Sequence, residues 1–188
     1  MTGIGGVGHD GSNLTDTIIF ASVNKRTKSI AMVSIPRDLY VEFTIGKQKG
    51  RGKINELYQR ALFKKLSPEQ SMQVLADKVE EITGEHIDRF LNIDFAGFTD
   101  FVDTLGGIDV EVPENIVDRE YPDNNWGYQT FRLNKGFQTL NGPTALKFVR
   151  SRHSTSDFDR SARQQLVIAA IKDKLISLDA LTSPTKLK

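Results

Sequence analysis

An α/β fold, with helices layered on a sheet, is predicted by three observations. Two neighbouring runs, TDTIIFASVN (15–24) and KSIAMVSIP (28–36), are β-rich and apolar at nearly every position. A fully signalled helix follows them. Beyond it, strand-like and helix-like segments alternate along the chain.

The polar NKRTK between the two runs reads as a hairpin connection. Their continuous apolar character predicts strands buried on both faces, as in a sheet sandwiched by helices. GKQKGRGK (46–53) predicts a basic, glycine-containing loop. The segment after it predicts a helix with Ile54, Leu57, Tyr58, Ala61 and Leu62 on one face. Ser67 is an N-cap, Pro68 occupies the first helical position, Gln70 completes a capping box and Gly84 lies just past the end. DRFLNIDF (88–95) predicts a strand, AGFTDFVDTLGG (96–107) a short helix closed by Gly106 and Gly107, and IDVEVP (108–113) another strand. Residues 115–136 predict irregular chain with one strand near 128–133. Asn141 caps the next helix, with Pro143 in its first turn. The last helix, near 158–178, carries Leu166, Ala170, Ile171 and Leu175 at core spacing. The chain of 188 residues has no internal repeat and predicts one domain over 1–188.

Composition excludes several chemistries. With no cysteine there is no disulfide, thiol nucleophile or zinc–thiolate site. A net charge of +1, with aspartates interleaved among the arginines, argues against a nucleic-acid partner. No stretch approaches the roughly 18 apolar residues that span a bilayer, and no signal peptide is visible. MTGIGGVGHDG enters glycine-rich loop chemistry at once, which reads as a domain separated from an upstream segment.

Positive charge is nevertheless concentrated locally. Within KFVRSRHSTSDFDRSARQQ (147–165), Arg150, Arg152, Arg160 and Arg163 fall in fourteen positions. Ser156 and Asp159 fit a capping box, so the last helix is expected to start near Asp157, with Arg160 and Arg163 in its first turns. Cations are unfavourable there, because a helix N-terminus already carries about half a positive charge. Arg160 and Gln164, four apart on one face, converge with free backbone N–H groups as a phosphate or pyrophosphate would require. Surface ion pairs with Asp157 and Asp159 are the plainer alternative. Upstream, SIPRD places Arg37 and Asp38 just past a strand, and LTDT places Asp16 at the mouth of its neighbour. In a hairpin these three meet at one sheet edge. Carboxylates beside arginines suit a hard divalent cation bridged to phosphate oxygens, or simply an ion pair capping the strand. Lys53 of KIN follows the basic loop and could add a further charge.

Taken together, SIPRD, KIN, LGGIDVEV, VRSRH and D-x-x-R-x-x-R-Q, in this order and spacing, resemble the LytR-CpsA-Psr family of bacterial cell-wall glycopolymer transferases, from about residue 3 to 175. The resemblance implies an α/β/α sandwich with a mixed central β-sheet flanked by helices. It implies a Mg²⁺-dependent transfer of glycopolymer phosphate from a polyprenyl-pyrophosphate-linked donor to a peptidoglycan hydroxyl. It also implies an N-terminal membrane anchor and a catalytic domain outside the cell membrane, with the lipid tail in an apolar groove for which Phe20 and Phe90 are candidates. By the same resemblance Asp16 is the aspartate tied to metal and catalysis, Arg37 a pyrophosphate contact and Asp38 a supporting carboxylate. Arg150 and Arg152 are the phosphate-binding pair; Arg160 and Gln164, with Arg163 and Lys53, complete the pyrophosphate set. The chain departs from the family at Leu14, where arginine is usual, and at GIGG, where G-x-D is usual; Asp10, or alternatively His9, is the candidate second metal ligand. A polyprenyl-pyrophosphate phosphatase, or a non-catalytic module binding phospholipid or polyanion, is the alternative.

Overall fold

The computed structural model describes residues 1–6, 12–24, 26–27, 29–123, 127–151 and 157–178, with side chains of 157–159 excepted. They fall in two units, Met1–Phe95 and Ala96–Lys188. The first unit contains β1 (Thr2–Ile4), β2 (Thr17–Asn24), β3 (Ser29–Ser34), β4 (Tyr40–Ile45) and β5 (Gln48–Lys53). A single 3-10 turn (Ile54–Glu56) follows, then α1 (Leu57–Phe63), α2 (Pro68–Thr83) and β6 (Asn92–Asp94). Four strands form a mixed sheet in the order β3-β2-β1-β6, parallel only between β1 and β6. Helices flank it: Ile18 and Ile35 pack with Leu57 and Tyr58 of α1 and with Met72, Leu75 and Val79 of α2. Phe20 and Phe90 lie half-buried against the same cluster.

The expected α/β architecture and the β2–β3 hairpin are observed, but the two strands are not buried on both faces. β3 is the outer strand of the sheet and alternates exposed with half-buried positions; Val23 and Val33 are mostly exposed. The basic segment expected as a loop is instead strand β5, paired with β4. Its glycines hide the strand signal while making the strand possible. Phe43 sits opposite Gly50 in register, and its ring covers the glycine so closely that a Cβ there would meet it at 2.7 Å. α2 has every expected device, including both hydrogen bonds of the Ser67–Gln70 capping box and a left-handed Gly84 at its end.

α3 (Phe95–Thr104) leads into the second unit, which continues with β7 (Ile108–Val112), β8 (Ile116–Pro122), β9 (Tyr128–Leu133), β10 (Gly136–Leu140), α4 (Gly142–Arg150) and α5 (Asp157–Ser177). β7 pairs with β10 and β8 with β9, both antiparallel. Val110, Val112, Leu140, Phe148 and Val167 centre the core. Two of these strands are absent from the sequence expectation. Residues 116–122 read IVDREYP, whose charges mask the apolar alternation, and a register shift between Asp118 and Tyr121 breaks its period. α5 is found where expected, but its buried face runs through Arg163, Val167 and Ala170, leaving Leu166 exposed. Arg163 takes a core position that apolar spacing alone assigns one residue away. The Ser156 cap lies outside the described residues. Among those residues no helix is long and apolar enough to cross a membrane.

Candidate functional site

In the first unit, the hairpin does bring Asp16, Arg37 and Asp38 together. Antiparallel pairing of Ile19 with Ser34 sets the start of β2 beside the end of β3, and the Ile35 N–H donates to the Ile18 carbonyl at 2.9 Å. Arg37 Nη1 then reaches Asp16 Oδ1 at 2.8 Å, and its Nε lies 3.5 Å from Asp38 Oδ2. Lys53 joins from the end of β5, with Nζ donating to Asp38 Oδ1 at 2.5 Å. Four predicted residues thus form one chain of alternating charge at the sheet edge.

The part missed by sequence reasoning is Asn55. Its carbonyl accepts from the Thr15 N–H at 3.1 Å and the Thr15 hydroxyl at 3.2 Å, while its N–H donates to the Arg37 carbonyl at 3.3 Å. The residue beside Asp16 and the backbone of Arg37 are therefore pinned to one buried point. Only the KIN motif, read for its lysine, hints at this, since main-chain bonds leave no mark on residue type. Among the described residues the Asn55 Oδ1 is buried with no hydrogen-bond partner.

The Lys53 hydrogen bond, foremost, holds the Asp38 carboxyl below the usual carboxylate range, opposed by desolvation and aided by the charges of Lys53 and Arg37. A lowered pKa adds stability above the ordinary carboxylate range, and that stability is lost as pH falls through the lowered value. Lys53→Met is therefore expected to move the Asp38 titration upward, toward its ordinary position, as read by carboxyl-carbon NMR.

Asp16 and Asp38 each have about half of the side chain exposed, but Asp38 is held by both Lys53 and Arg37, whereas Asp16 is paired with Arg37. Among the described residues no three metal-ligating side chains gather, and His9 and Asp10 lie outside them. A single aspartate still fits Mg²⁺, which typically binds through one or two carboxylates together with substrate phosphates.

In the second unit, Arg150 ends α4. Its Nη1 donates to the Tyr121 hydroxyl at 3.3 Å, and its guanidinium lies 5.6 Å from the centre of that ring. Lys147 lies 6.0 Å from the same ring. Burial pushes the Tyr121 hydroxyl pKa up, partly offset by Arg150. Arg163, expected as a phosphate contact, is only 5% exposed. Its Nε donates to the Phe148 carbonyl at 3.1 Å and its Nη2 to the Ser151 carbonyl at 2.5 Å. These bonds close the C-terminal end of α4, where helix carbonyls have no intrahelical donor. Arg160 and Gln164 are half-buried, one turn apart on α5 as expected. Arg152 lies outside the described residues.

The LytR_cpsA_psr family model matches residues 2–188. The polyisoprenyl-teichoic acid–peptidoglycan teichoic acid transferase TagU of Bacillus licheniformis is 34% identical over 169 residues, covering 89% of this chain and 48% of the relative. The crystal structure of B. subtilis TagV is similar with a TM-score of 0.71 and 28% identity, over 93% of this chain and 62% of that one. A structure of TagT bound to LI-WTA is similar with a TM-score of 0.67 and 27% identity, over 94% and 62% respectively. The chain spans about half the length of the curated relatives it matches.

Proposed function

Since the chain belongs to the LytR_cpsA_psr family, we propose that it is the catalytic domain of a phosphotransferase. It moves a glycopolymer phosphate from a polyprenyl-pyrophosphate carrier to a hydroxyl of peptidoglycan, at the outer face of the cell membrane. The observation that carries this reading is the Asp16–Arg37–Asp38–Lys53 chain at one sheet edge, where an exposed carboxylate adjoins a fixed arginine.

Asp16 accepts a hydrogen bond from the acceptor hydroxyl and takes its proton as the oxygen attacks the glycopolymer-bearing phosphorus. The bond from that phosphorus to the bridging oxygen breaks, and polyprenyl phosphate leaves with the electron pair. Arg37 and Lys53 neutralise charge on the diphosphate; Asp38 holds both cations in place. Within the second unit, Arg150, Arg152 and Arg160 are diphosphate-binding guanidiniums, with Gln164 as a neutral donor. Asp16 and Asp10 would hold Mg²⁺, which when bound supplies additional charge neutralisation to the phosphate oxygens.

The purified domain, given lipid-linked glycopolymer, is expected to release polyprenyl phosphate only when peptidoglycan is added. Equal release without acceptor would identify a phosphatase instead, and no release with binding intact would identify a binding module.

A further inference from the structure

Side chains along a regular strand share a face when they are two residues apart. Asp118 and Tyr121 are three apart, yet both are buried, at 7% and 4% exposure. The register shift between them in β8 supplies the extra residue, and a bulge of this kind re-aims side chains. The two side chains grip consecutive residues at the end of α4. The Tyr121 hydroxyl accepts from Arg150 Nη1 at 3.3 Å, and Asp118 Oδ2 accepts from the Ser151 hydroxyl at 2.7 Å. Asp118 is itself steadied by the Glu120 N–H, which donates to its Oδ1 at 3.1 Å. Arg163 closes the other side of the turn through the Ser151 and Phe148 carbonyls.

We propose that the bulged strand β8 is a positioning device for Arg150, with Tyr121 orienting its guanidinium directly and Asp118 fixing the turn beneath it through Ser151. An arginine side chain has many rotamers to lose on binding an anion, so one held in place beforehand binds with less entropic loss. Tyr121 suits the task because its ring lies against the guanidinium while its hydroxyl accepts one N–H. Burial keeps that hydroxyl protonated and neutral at physiological pH. The inference rests on the reading of Arg150 as a diphosphate ligand.

The test measures inorganic pyrophosphate binding by calorimetry on the whole chain. Tyr121→Phe, which keeps the ring and its packing against Phe131, is expected to weaken binding about tenfold. Ser151→Ala, which removes the Asp118 link, is expected to weaken it about threefold. The decisive variant combines Tyr121→Phe with Arg150→Ala: it should bind no more weakly than Arg150→Ala alone, because the tyrosine acts through the arginine. Weakened binding in Arg150→Ala beside wild-type binding in Tyr121→Phe would overturn the positioning role alone. So would an additive loss in the double variant. Unchanged binding in Arg150→Ala would overturn the diphosphate reading and this proposal with it.

Discussion

Asp16→Ala is expected to lower glycopolymer transfer by about 10³-fold or more while leaving the domain folded. Removing the carboxylate removes the group that takes the acceptor proton, and the neighbouring Asp38 is poorly placed to replace it. Asp38 has both oxygens engaged by Lys53 and Arg37. The structural loss is small by comparison. The Asp16–Arg37 pair is partly exposed, and such pairs contribute about 0–1 kcal/mol. Thr15 keeps its two bonds to Asn55, so the local backbone stays in place. Steady-state transfer kinetics beside thermal unfolding separate the two effects: kcat/KM should collapse while Tm moves little. Asp16→Asn, which preserves shape but cannot take the proton, should be nearly as impaired.

Gly142→Ala is expected to produce the reverse pattern, with stability falling first. Gly142 opens α4, buried, and its N–H donates to Asp103 Oδ1 at 2.7 Å. A methyl group there would lie 2.8 Å from both the carbonyl carbon and the Cγ2 methyl of Thr99 in α3. The obstacle is backbone rather than a flexible side-chain tip, so α3 and α4 must move apart. Overpacking of this kind costs about 3 kcal/mol, which lowers Tm by roughly 6–12 °C for a chain of this size. Because α4 carries Arg150 at its far end, the displacement should also raise the donor KM. Calorimetric melting checks the first effect and donor titration the second; a Tm within about 2 °C of wild type would contradict the close α3–α4 approach.

Some of the fold is legible because its signals are local. Ser67, Pro68, Gln70 and Gly84 define α2 from within its own sequence, and the β2–β3 hairpin places Asp16 and Arg37 together by strand geometry alone. β5 and β8 are not legible in the same way. The first owes its pairing to Phe43 lying over Gly50, a cross-strand contact, and the second carries three charged residues and a shifted register. Arg163 shows the same limit in the site. Its residue type suggests an anion ligand, yet the carbonyls it meets belong to Phe148 and Ser151, twelve or more residues away. Asn55 and Tyr121 escape for a related reason, since their roles lie in which main-chain or guanidinium group faces them. Residue types at the sheet edge and around Arg150 could be read; the scaffold that orients them could not.

The central claim is that the bond broken lies within the diphosphate. Phosphorus NMR of the peptidoglycan product, paired with mass analysis of the released lipid, tests it directly. Transfer of glycopolymer phosphate predicts a phosphodiester on the peptidoglycan and polyprenyl monophosphate as the leaving product. Peptidoglycan carrying glycopolymer without phosphorus, beside intact polyprenyl pyrophosphate, would contradict it.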